Sequence, residues 1–216
     1  AVAGLAELEE RLAAAEEARN LVAPTHPDHP LQWTEAVLFP DAEMLVLPFH
    51  RRVGDRAGRS SEAIIEALSE CGPLQPRADA EDARPIGPGM VGVYVGGRWF
   101  SLELPAAIGS RAVDRLDVSR LQDGILAPAF GITDPGSDPM IDYIPEPVGL
   151  AALVRRCDAD ERVGFVVHAT SVAELMAVAD GNDLMPPKSS SFEPKPRSGV
   201  FVRRLDREGP TGAAPT

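Results

Sequence analysis

Residues 91–104 read VGVYVGGRWFSLEL, and this stretch decides the fold class. Two runs rich in β-branched and aromatic residues flank Gly96-Gly97, a pair that readily adopts the positive φ angles of a two-residue hairpin turn. In the second run Phe100, Leu102 and Leu104 occupy every other position. Because side chains alternate across a strand, these three residues share one face. The stretch therefore predicts a β-hairpin with an apolar face that packs on a core.

Strand and helix signals are interspersed on both sides of this hairpin. The other strands are predicted at 33–39, 43–49, 140–144, 162–168 and 199–203, and the helices at 3–19, 61–71, 112–126, 149–157 and 171–180. The proline-rich segments 73–90 and 185–198 are predicted to be surface connections. No strict βαβ alternation is present, which favours an α+β fold with helices packed on a mixed β-sheet. We expect one domain over residues 1–207 and a frayed tail at 208–216.

Charge and composition exclude several classes of protein. The 216 residues carry a formal net charge of −12, so the average field repels nucleic acid and anionic membranes. No apolar run approaches the roughly 20 residues that a membrane-spanning helix needs. The two cysteines, Cys71 and Cys157, stand alone, which is typical of reduced thiols and predicts a cytoplasmic location. The oligomeric state is not defined by the sequence, and a homodimer is one option.

Two familiar patterns are incomplete in this chain. Gly87, Gly89 and Gly92 form a G-x-G-x-x-G series, but the strand before it and the helix after it that bind a dinucleotide are not predicted. We interpret the series as a glycine-rich turn. His26 and His29 have a spacing that could serve a metal, but no further cysteine or histidine pair completes a site. No metal site is therefore predicted from these residues.

An acidic series has two open interpretations. Carboxylates of this kind can hold Mg²⁺ beside a phosphoryl group, or they can cap a helix and solvate a loop. The series comprises Asp117, Asp123, Asp134, Asp138 and Asp142.

The loop at 185–199, MPPKSSSFEPKPRSG, contains both lysines of a chain that has 21 basic residues. Lys188 and Lys195 are compact charges that can approach a phosphoryl oxygen or a carboxylate closely. Ser189 and Ser190 add hydroxyls and successive backbone N–H groups that can form an anion-binding concavity, and Arg197 adds a bidentate donor. Prolines stiffen the loop. We predict that these five residues bind a small anion; the alternative is a rigid solvated loop with incidental charges.

A second group of cations lies at the end of the strand predicted at 43–49. His50 and Arg51 follow this strand directly. We predict that the two side chains form a second, weaker cationic wall of the same anion site.

Several stretches in order resemble one protein family. They are PFHR at 48–51, the hairpin at 92–104, LDVSRLQDGILAPAFGI at 116–132, ATSVAELMAVAD at 169–180 and MPPKSSSFEPKPRSG at 185–199. Together they look like the later, C-terminal part of the "domain of unknown function 1015" family. The resemblance extends over most of residues 33–204.

The resemblance implies more than this chain contains. Members of the family carry an N-terminal portion with an Asp-Gly-His-His-Arg motif similar to the ParB and sulfiredoxin-like fold, and the motif is absent here. Distant kinship with ParB-like kinases of free serine implies phosphoryl transfer with Mg²⁺ and a nucleotide or pyrophosphate as donor. We therefore expect a fragment: the anion-binding portion of a small-molecule kinase or phosphotransferase, inactive alone, with its catalytic residues unknown. The alternative is a non-catalytic ligand-binding or protein-interaction domain.

Overall fold

The computed structural model describes residues 40, 43–195 and 199. Residues Pro40–Lys195 form one compact unit, called the core unit below. The predicted helix at 3–19, the predicted strand at 33–39, the predicted strand at 199–203 apart from Gly199, and Arg197 lie outside the described residues.

The strands of the core unit form an antiparallel sheet and a separate ribbon. They are β1 (Leu45–Leu47), β2 (Phe49–Val53), β3 (Leu74–Arg77), β4 (Met90–Val95), β5 (Arg98–Glu103), β6 (Ile141–Pro145), β7 (Val163–Val167) and β8 (Ser191–Glu193). Six of these strands form one sheet in the order β3-β5-β4-β7-β2-β6, and β1 pairs with β8. Every pairing among them is antiparallel. The predicted α+β class is confirmed, and the predicted hairpin is β4–β5.

The helices of the core unit are α1 (Ser61–Cys71), α2 (Ala80–Ala83), α3 (Asp117–Leu121), α4 (Ala127–Phe130), α5 (Leu150–Asp160) and α6 (Val172–Asp180). A π-helical turn over Gln122–Leu126 joins α3 to α4. Ser60 caps α1, and Ser171 with Glu174 forms the predicted reciprocal box at the start of α6. Within the described residues, no helix combines the length and the apolar character needed to cross a bilayer.

Each face of the six-stranded sheet packs on its own set of helices. On one face Val93 and Phe165 pack in a cluster with Leu68 of α1. On the other face Tyr94 packs in a cluster with Leu153 of α5. Successive residues of a strand lie on opposite faces, so the position of a residue along β2 decides which of these two layers its side chain enters.

Prolines account for two differences between the predicted and observed elements. The strand predicted at 43–49 is interrupted at Pro48, and the chain forms two short strands, β1 and β2, that belong to different sheets. The helix predicted at 112–126 was expected to stop near Pro128. Instead Pro128 lies in the first turn of α4, where its missing N–H is tolerated. The helix ends at Gly131, which has a left-handed φ of 68°.

Two segments predicted as connections contain regular structure. The segment 73–90 holds the outer strand β3 and the short helix α2. Three of the four β3 residues are exposed, so the apolar alternation that marks a half-buried strand is missing. The segment 185–198 holds β8, which pairs with β1 through the register Phe192↔Val46.

Candidate functional site

Strand β2 lies between β7 and β6 and carries two of the predicted site residues. Arg51 is opposite Phe165 on one side and Tyr143 on the other. Because side chains alternate, Arg51 enters the layer that contains Val53, whereas His50 enters the opposite layer. The prediction that His50 and Arg51 form one cationic wall is therefore wrong: the sheet separates them.

Arg51 is a buried cation without an acidic partner in the described residues. Its side chain is nearly buried, with 4% of the residue exposed. Nη1 donates to the Phe49 carbonyl, and the guanidinium carbon lies 5.5 Å from the centroid of the Tyr143 ring. No described carboxylate comes within ion-pair distance of it. Burial lowers the pKa of Arg51 to about 10, so the group remains charged at neutral pH.

Neighbouring arginines differ from Arg51 in this respect. Arg52, the next residue of β2, contacts Asp142 at 2.6 Å and Asp160 at 2.9 Å. Arg56 contacts Asp138 at 2.6 Å. Arg51 is more buried than either of them and yet has only a backbone carbonyl and an aromatic ring as partners within the described part of the chain.

Lys188 approaches the same strand from the 185–195 loop. Its residue is exposed and adopts a positive φ of 54°, which is uncommon for a residue with a side chain. The ammonium nitrogen lies 5.6 Å from the centroid of the Phe49 ring. Phe49 therefore contacts Lys188 through its ring and Arg51 through its carbonyl. The structure thus brings these two predicted site residues to one residue at the start of β2.

A groove of about 390 Å³ adjoins Lys188, and its lining residues are Pro135, Gly136, Ser137, Asp138, Ile141, Asp142, Tyr143, Pro187 and Lys188. The two carboxylates in this lining are each held by an arginine, Arg56 or Arg52. Lys188 makes no ion pair with a described carboxylate, so within the described residues its positive charge is not balanced by an acidic side chain. Tyr143 both lines the groove and stacks on Arg51.

The remaining predicted residues of the loop are placed differently. Ser189 is buried and its hydroxyl donates to the Pro186 carbonyl, which gives it a role within the loop. Ser190 is half-buried, and Lys195 is exposed with its ammonium 3.5 Å from a Glu193 carboxylate oxygen. The loop is anchored by the backbone pairing of β8 with β1. Arg197 lies outside the described residues.

His50 belongs to a separate buried cluster on the other side of the sheet. Its ring is fully buried, and Nε2 lies 2.6 Å from Oε2 of Glu146. Neither of these two atoms has another partner. Nδ1 accepts the Val167 N–H at 3.4 Å, so the ring proton belongs on Nε2. Burial lowers the pKa of His50, against the opposing effect of Glu146. His50 is therefore neutral at pH 7 and supplies no charge to an anion.

Four of the five residues of the acidic series make structural contacts within the described residues. Asp117 accepts the Gly89 N–H at 2.8 Å and Asp134 accepts the Gly136 N–H, while Asp138 and Asp142 are ion-paired. No group of three or more histidine, cysteine, aspartate or glutamate residues in the described part is arranged to hold a metal ion.

A larger groove of about 700 Å³ lies at another edge of the core unit, beside the start of α1 and the β4–β5 turn. Its arginines, Arg59 and Arg162, are paired with Asp55 and Asp160. None of the predicted site residues lines it.

Three contact residues, two at the candidate site and one in the His50 cluster, were not predicted from the sequence. The rings of Phe49 and Tyr143 contact Lys188 and Arg51 respectively, and the Glu146 carboxylate contacts His50. Phe49 lies within the PFHR stretch that carries part of the family resemblance, so its proximity to Arg51 offered a signal. Tyr143 and Glu146 come from β6 and the turn after it, and the pairing of β6 with β2 brings Tyr143 to Arg51 and Glu146 to His50.

Comparison with known proteins gives a family match and weak structural matches. A family model described as a protein of unknown function (DUF1015) matches residues 10–119, just over half of the chain. That match ends before the 185–199 loop. A search of the curated proteins found no significant match.

Three solved structures are similar at low identity. Free serine kinase in complex with AMP is 16% identical, with a TM-score of 0.39, over 69% of this chain and 54% of that chain. A mutant of free serine kinase in complex with ADP is 16% identical, with a TM-score of 0.38 and the same coverage. A conserved hypothetical protein from Pyrococcus furiosus is 14% identical, with a TM-score of 0.41, over 69% of this chain and 56% of that chain. The chain thus spans little more than half the length of these proteins.

Proposed function

The chain belongs to the DUF1015 family of proteins of unknown function, and we propose that its core unit binds a small anion between strand β2 and the 185–195 loop. The observation that carries the proposal is Arg51, a buried guanidinium with no described carboxylate partner, together with the exposed Lys188, which contacts the same residue, Phe49, and makes no ion pair with a described carboxylate. An anion between these cations would supply the missing negative charge.

The energetics of burial support this choice of ligand. Moving a charged group out of water costs several kcal/mol unless a partner of opposite charge compensates it. The ring of Tyr143 offsets only part of that, since a cation–π contact contributes roughly 0.5–2 kcal/mol. A guanidinium fork matches the geometry of a phosphate or a carboxylate. The ligand class is therefore a compact oxyanion, phosphoryl or carboxylate.

The loop is suited to hold Lys188 in place for such a ligand. The β8–β1 pairing anchors one side of the loop, and the Ser189 hydroxyl closes its turn onto Pro186. A donor that is already ordered loses less conformational entropy when its ligand binds. Ser190 and Lys195 would complete the loop's contribution, as would Arg197 from the adjoining segment.

For the whole protein we extend the proposal to phosphoryl transfer onto a small hydroxy compound such as free serine. The family resemblance implies this activity, with Mg²⁺ and a nucleotide or pyrophosphate as phosphate donor. Phosphoryl transfer depends on positioning and charge stabilisation more than on covalent chemistry, and Lys188 with Arg51 would supply part of that charge. The general base would come from elsewhere in the protein, so this chain alone is expected to be inactive.

One observation favours a second candidate, a non-catalytic binding domain. Asp138 and Asp142, the carboxylates that line the Lys188 groove, are both held by arginines and are poorly placed to accept a proton from a substrate. A groove whose lining offers a cation, Lys188, and carboxylates already held by arginines can bind an anion without transforming it.

Titration with pyrophosphate tests the anion site. Amide resonances of Lys188–Ser191 and of Phe49 and Arg51 should shift together and saturate. Lys188→Met should weaken binding by about 1.5–3 kcal/mol, roughly 10- to 150-fold, the loss expected for a hydrogen bond to a charged group. Its melting temperature should stay unchanged because the residue is exposed. Arg98→Met is the matched control, because Arg98, the first residue of β5, is exposed and is paired with Glu62 of α1. Saturating pyrophosphate without shifts in either segment refutes the proposal.

A kinase assay separates the two candidates. The purified chain should transfer no phosphate from ATP, ADP or pyrophosphate to serine. Turnover by this chain would place the chemistry within its own residues. In a longer protein that carries the N-terminal portion, Lys188→Met should lower kcat by about 10²- to 10³-fold if Lys188 stabilises transition-state charge. If the protein is a binding domain, Lys188→Met should weaken anion binding, and neither this chain nor the longer protein should have kinase activity.

A further inference from the structure

The hydrogen-bond ladder between β2 and β7 opens at one end. The two strands pair at Val53↔Val163, Arg52↔Gly164 and Arg51↔Phe165. The same register would place Phe49 opposite Val167, but that pair is not formed. The Val167 N–H instead donates to Nδ1 of His50. The imidazole of His50 therefore links β7 to the start of β2, where the backbone ladder has ended.

The contacts of His50 fit only the neutral ring. Nδ1 must be unprotonated to accept the Val167 N–H, and Nε2 carries the proton toward Glu146. The other Glu146 oxygen accepts from Arg84 at 2.8 Å, and Arg84 also contacts Glu81 at 3.4 Å. The charged groups that influence His50 are Glu146, Arg84 and its neighbour Arg51. A proton on Nδ1 would place a second N–H against that of Val167 and break the link.

We propose that His50 is a positioning residue for the anion site, and that its protonation releases the start of β2 and weakens anion binding. The inference rests on the proposed function. Phe49 and Arg51 flank His50 in the chain, and they are the residues that Lys188 and the anion need in place. Loss of the Val167 link would leave the start of β2 without a contact to β7, held on its other side by the Phe49↔Pro145 pair with β6 and by the Glu146 N–H on the Pro48 carbonyl.

The expected direction is opposite to that of simple electrostatics. A protonated His50 adds a positive charge near the site, which by Coulomb's law alone would strengthen anion binding. The positioning role predicts weaker binding at lower pH. Burial lowers the pKa of His50, so the change should begin below about pH 6.5, the usual pKa of histidine.

Sulfate is the appropriate probe, because it remains a dianion throughout the range in which histidine titrates. Its dissociation constant should be measured on the whole chain from pH 8 to pH 5 at fixed ionic strength. If the protonated form does not bind, the apparent dissociation constant should rise about tenfold at one pH unit below the pKa of His50. His50→Asn, which retains an acceptor and does not titrate, should have a flat profile. His168→Asn is the control and should retain the wild-type profile.

The wild-type protein provides a second readout that does not depend on a variant that folds. Because coupling between two binding events is reciprocal, saturating sulfate should lower the pKa of His50. This pKa is measured from the pH dependence of the His50 ring resonances. If sulfate acted on His50 only through its negative charge, it would raise the pKa of His50. A flat or rising affinity as the pH falls, or a decrease that persists in His50→Asn, overturns the inference and leaves the proposed function intact. Absence of sulfate binding at β2 and the 185–195 loop at every pH overturns both.

Discussion

Replacing Arg51 by methionine tests whether the charge of Arg51 serves to bind a ligand or to stabilise the fold. Methionine keeps most of the length of the side chain and removes the charge. If Arg51 lacks a counter-charge in the ligand-free protein, its burial opposes folding, and the variant should lose little stability or none. If Arg51 were neutralised within the protein, the substitution would leave its partner buried and unpaired, at a cost of about 3–5 kcal/mol.

The size of the effect follows from the contacts of Arg51. Burial lowers its pKa to about 10, which corresponds to roughly 3 kcal/mol against the charged form at about 1.4 kcal/mol per tenfold change in proton binding. The residue is 4% exposed, so solvent screens little of this. Methionine loses the contact with the Tyr143 ring and the hydrogen bond to the Phe49 carbonyl, roughly 1 kcal/mol each. The variant should therefore be about 1 kcal/mol more stable than the wild type.

Urea unfolding with and without sulfate measures this difference. In buffer free of sulfate and phosphate, Arg51→Met should match or exceed the wild-type free energy of unfolding. Added sulfate should stabilise the wild type, since a ligand of the native state raises its stability, and should leave the variant unchanged. Arg52→Met is the control, because Arg52 lies on the same strand and pairs with Asp142 and Asp160, which are partly exposed. It should lose about 2 kcal/mol in both buffers, the loss expected for hydrogen bonds between charged groups. A loss of 3 kcal/mol or more in Arg51→Met without sulfate refutes the reasoning.

Three further predictions concern the fold and its titration. His50 is protonated near pH 6.5 in the unfolded chain, whereas the fold favours the neutral ring, so the free energy of unfolding should fall as the pH drops below about 6.5. Urea unfolding of the wild type and of His50→Asn at pH 7 and pH 5.5 checks this. Equal losses of unfolding free energy in the two proteins contradict it. Gly92→Ala should destabilise by about 1–3 kcal/mol because an added Cβ would lie 2.5 Å from the Ala83 carbonyl oxygen, whereas Gly87→Ala meets no atom within 4 Å and should be neutral; equal melting temperatures would contradict the packing. Ser171→Ala removes the α6 cap and should lower the unfolding free energy by about 1 kcal/mol; no change would show that the cap is dispensable.

Local patterns predicted the elements whose signals lie within a few residues. Gly96-Gly97 and the alternation after it define the β4–β5 hairpin, and Ser171 with Glu174 marks the start of α6. β3 and β8 were missed because each depends on a partner strand distant in sequence, β5 and β1 respectively, rather than on its own apolar pattern. Pairing of this kind is not encoded in the spacing of nearby residues.

At the candidate site, too, local patterns predicted some features, and others depend on contacts between distant strands. The two lysines in one stiffened loop indicated an anion site there, and the anion itself remains a prediction. The separation of His50 from Arg51 follows from side-chain alternation once β2 is known to include both residues. The strand predicted at 43–49 ended two residues too early to include both of them. The register of β6 on β2 places Tyr143 opposite Arg51 and Asp142 opposite Arg52, so the neighbouring carboxylate lies on the face away from Arg51, and only the sheet order provides this register.

Resonances of the Arg51 guanidinium during a sulfate titration test the central claim most directly. The account predicts that the Arg51 Nε–H and the Lys188 amide shift together, saturate, and give one dissociation constant. The exposed and ion-paired Arg98 should show no saturable change. Shifts that remain linear in sulfate, or that occur at Arg98 and not at Arg51, would contradict the claim that the buried guanidinium of β2 binds an anion.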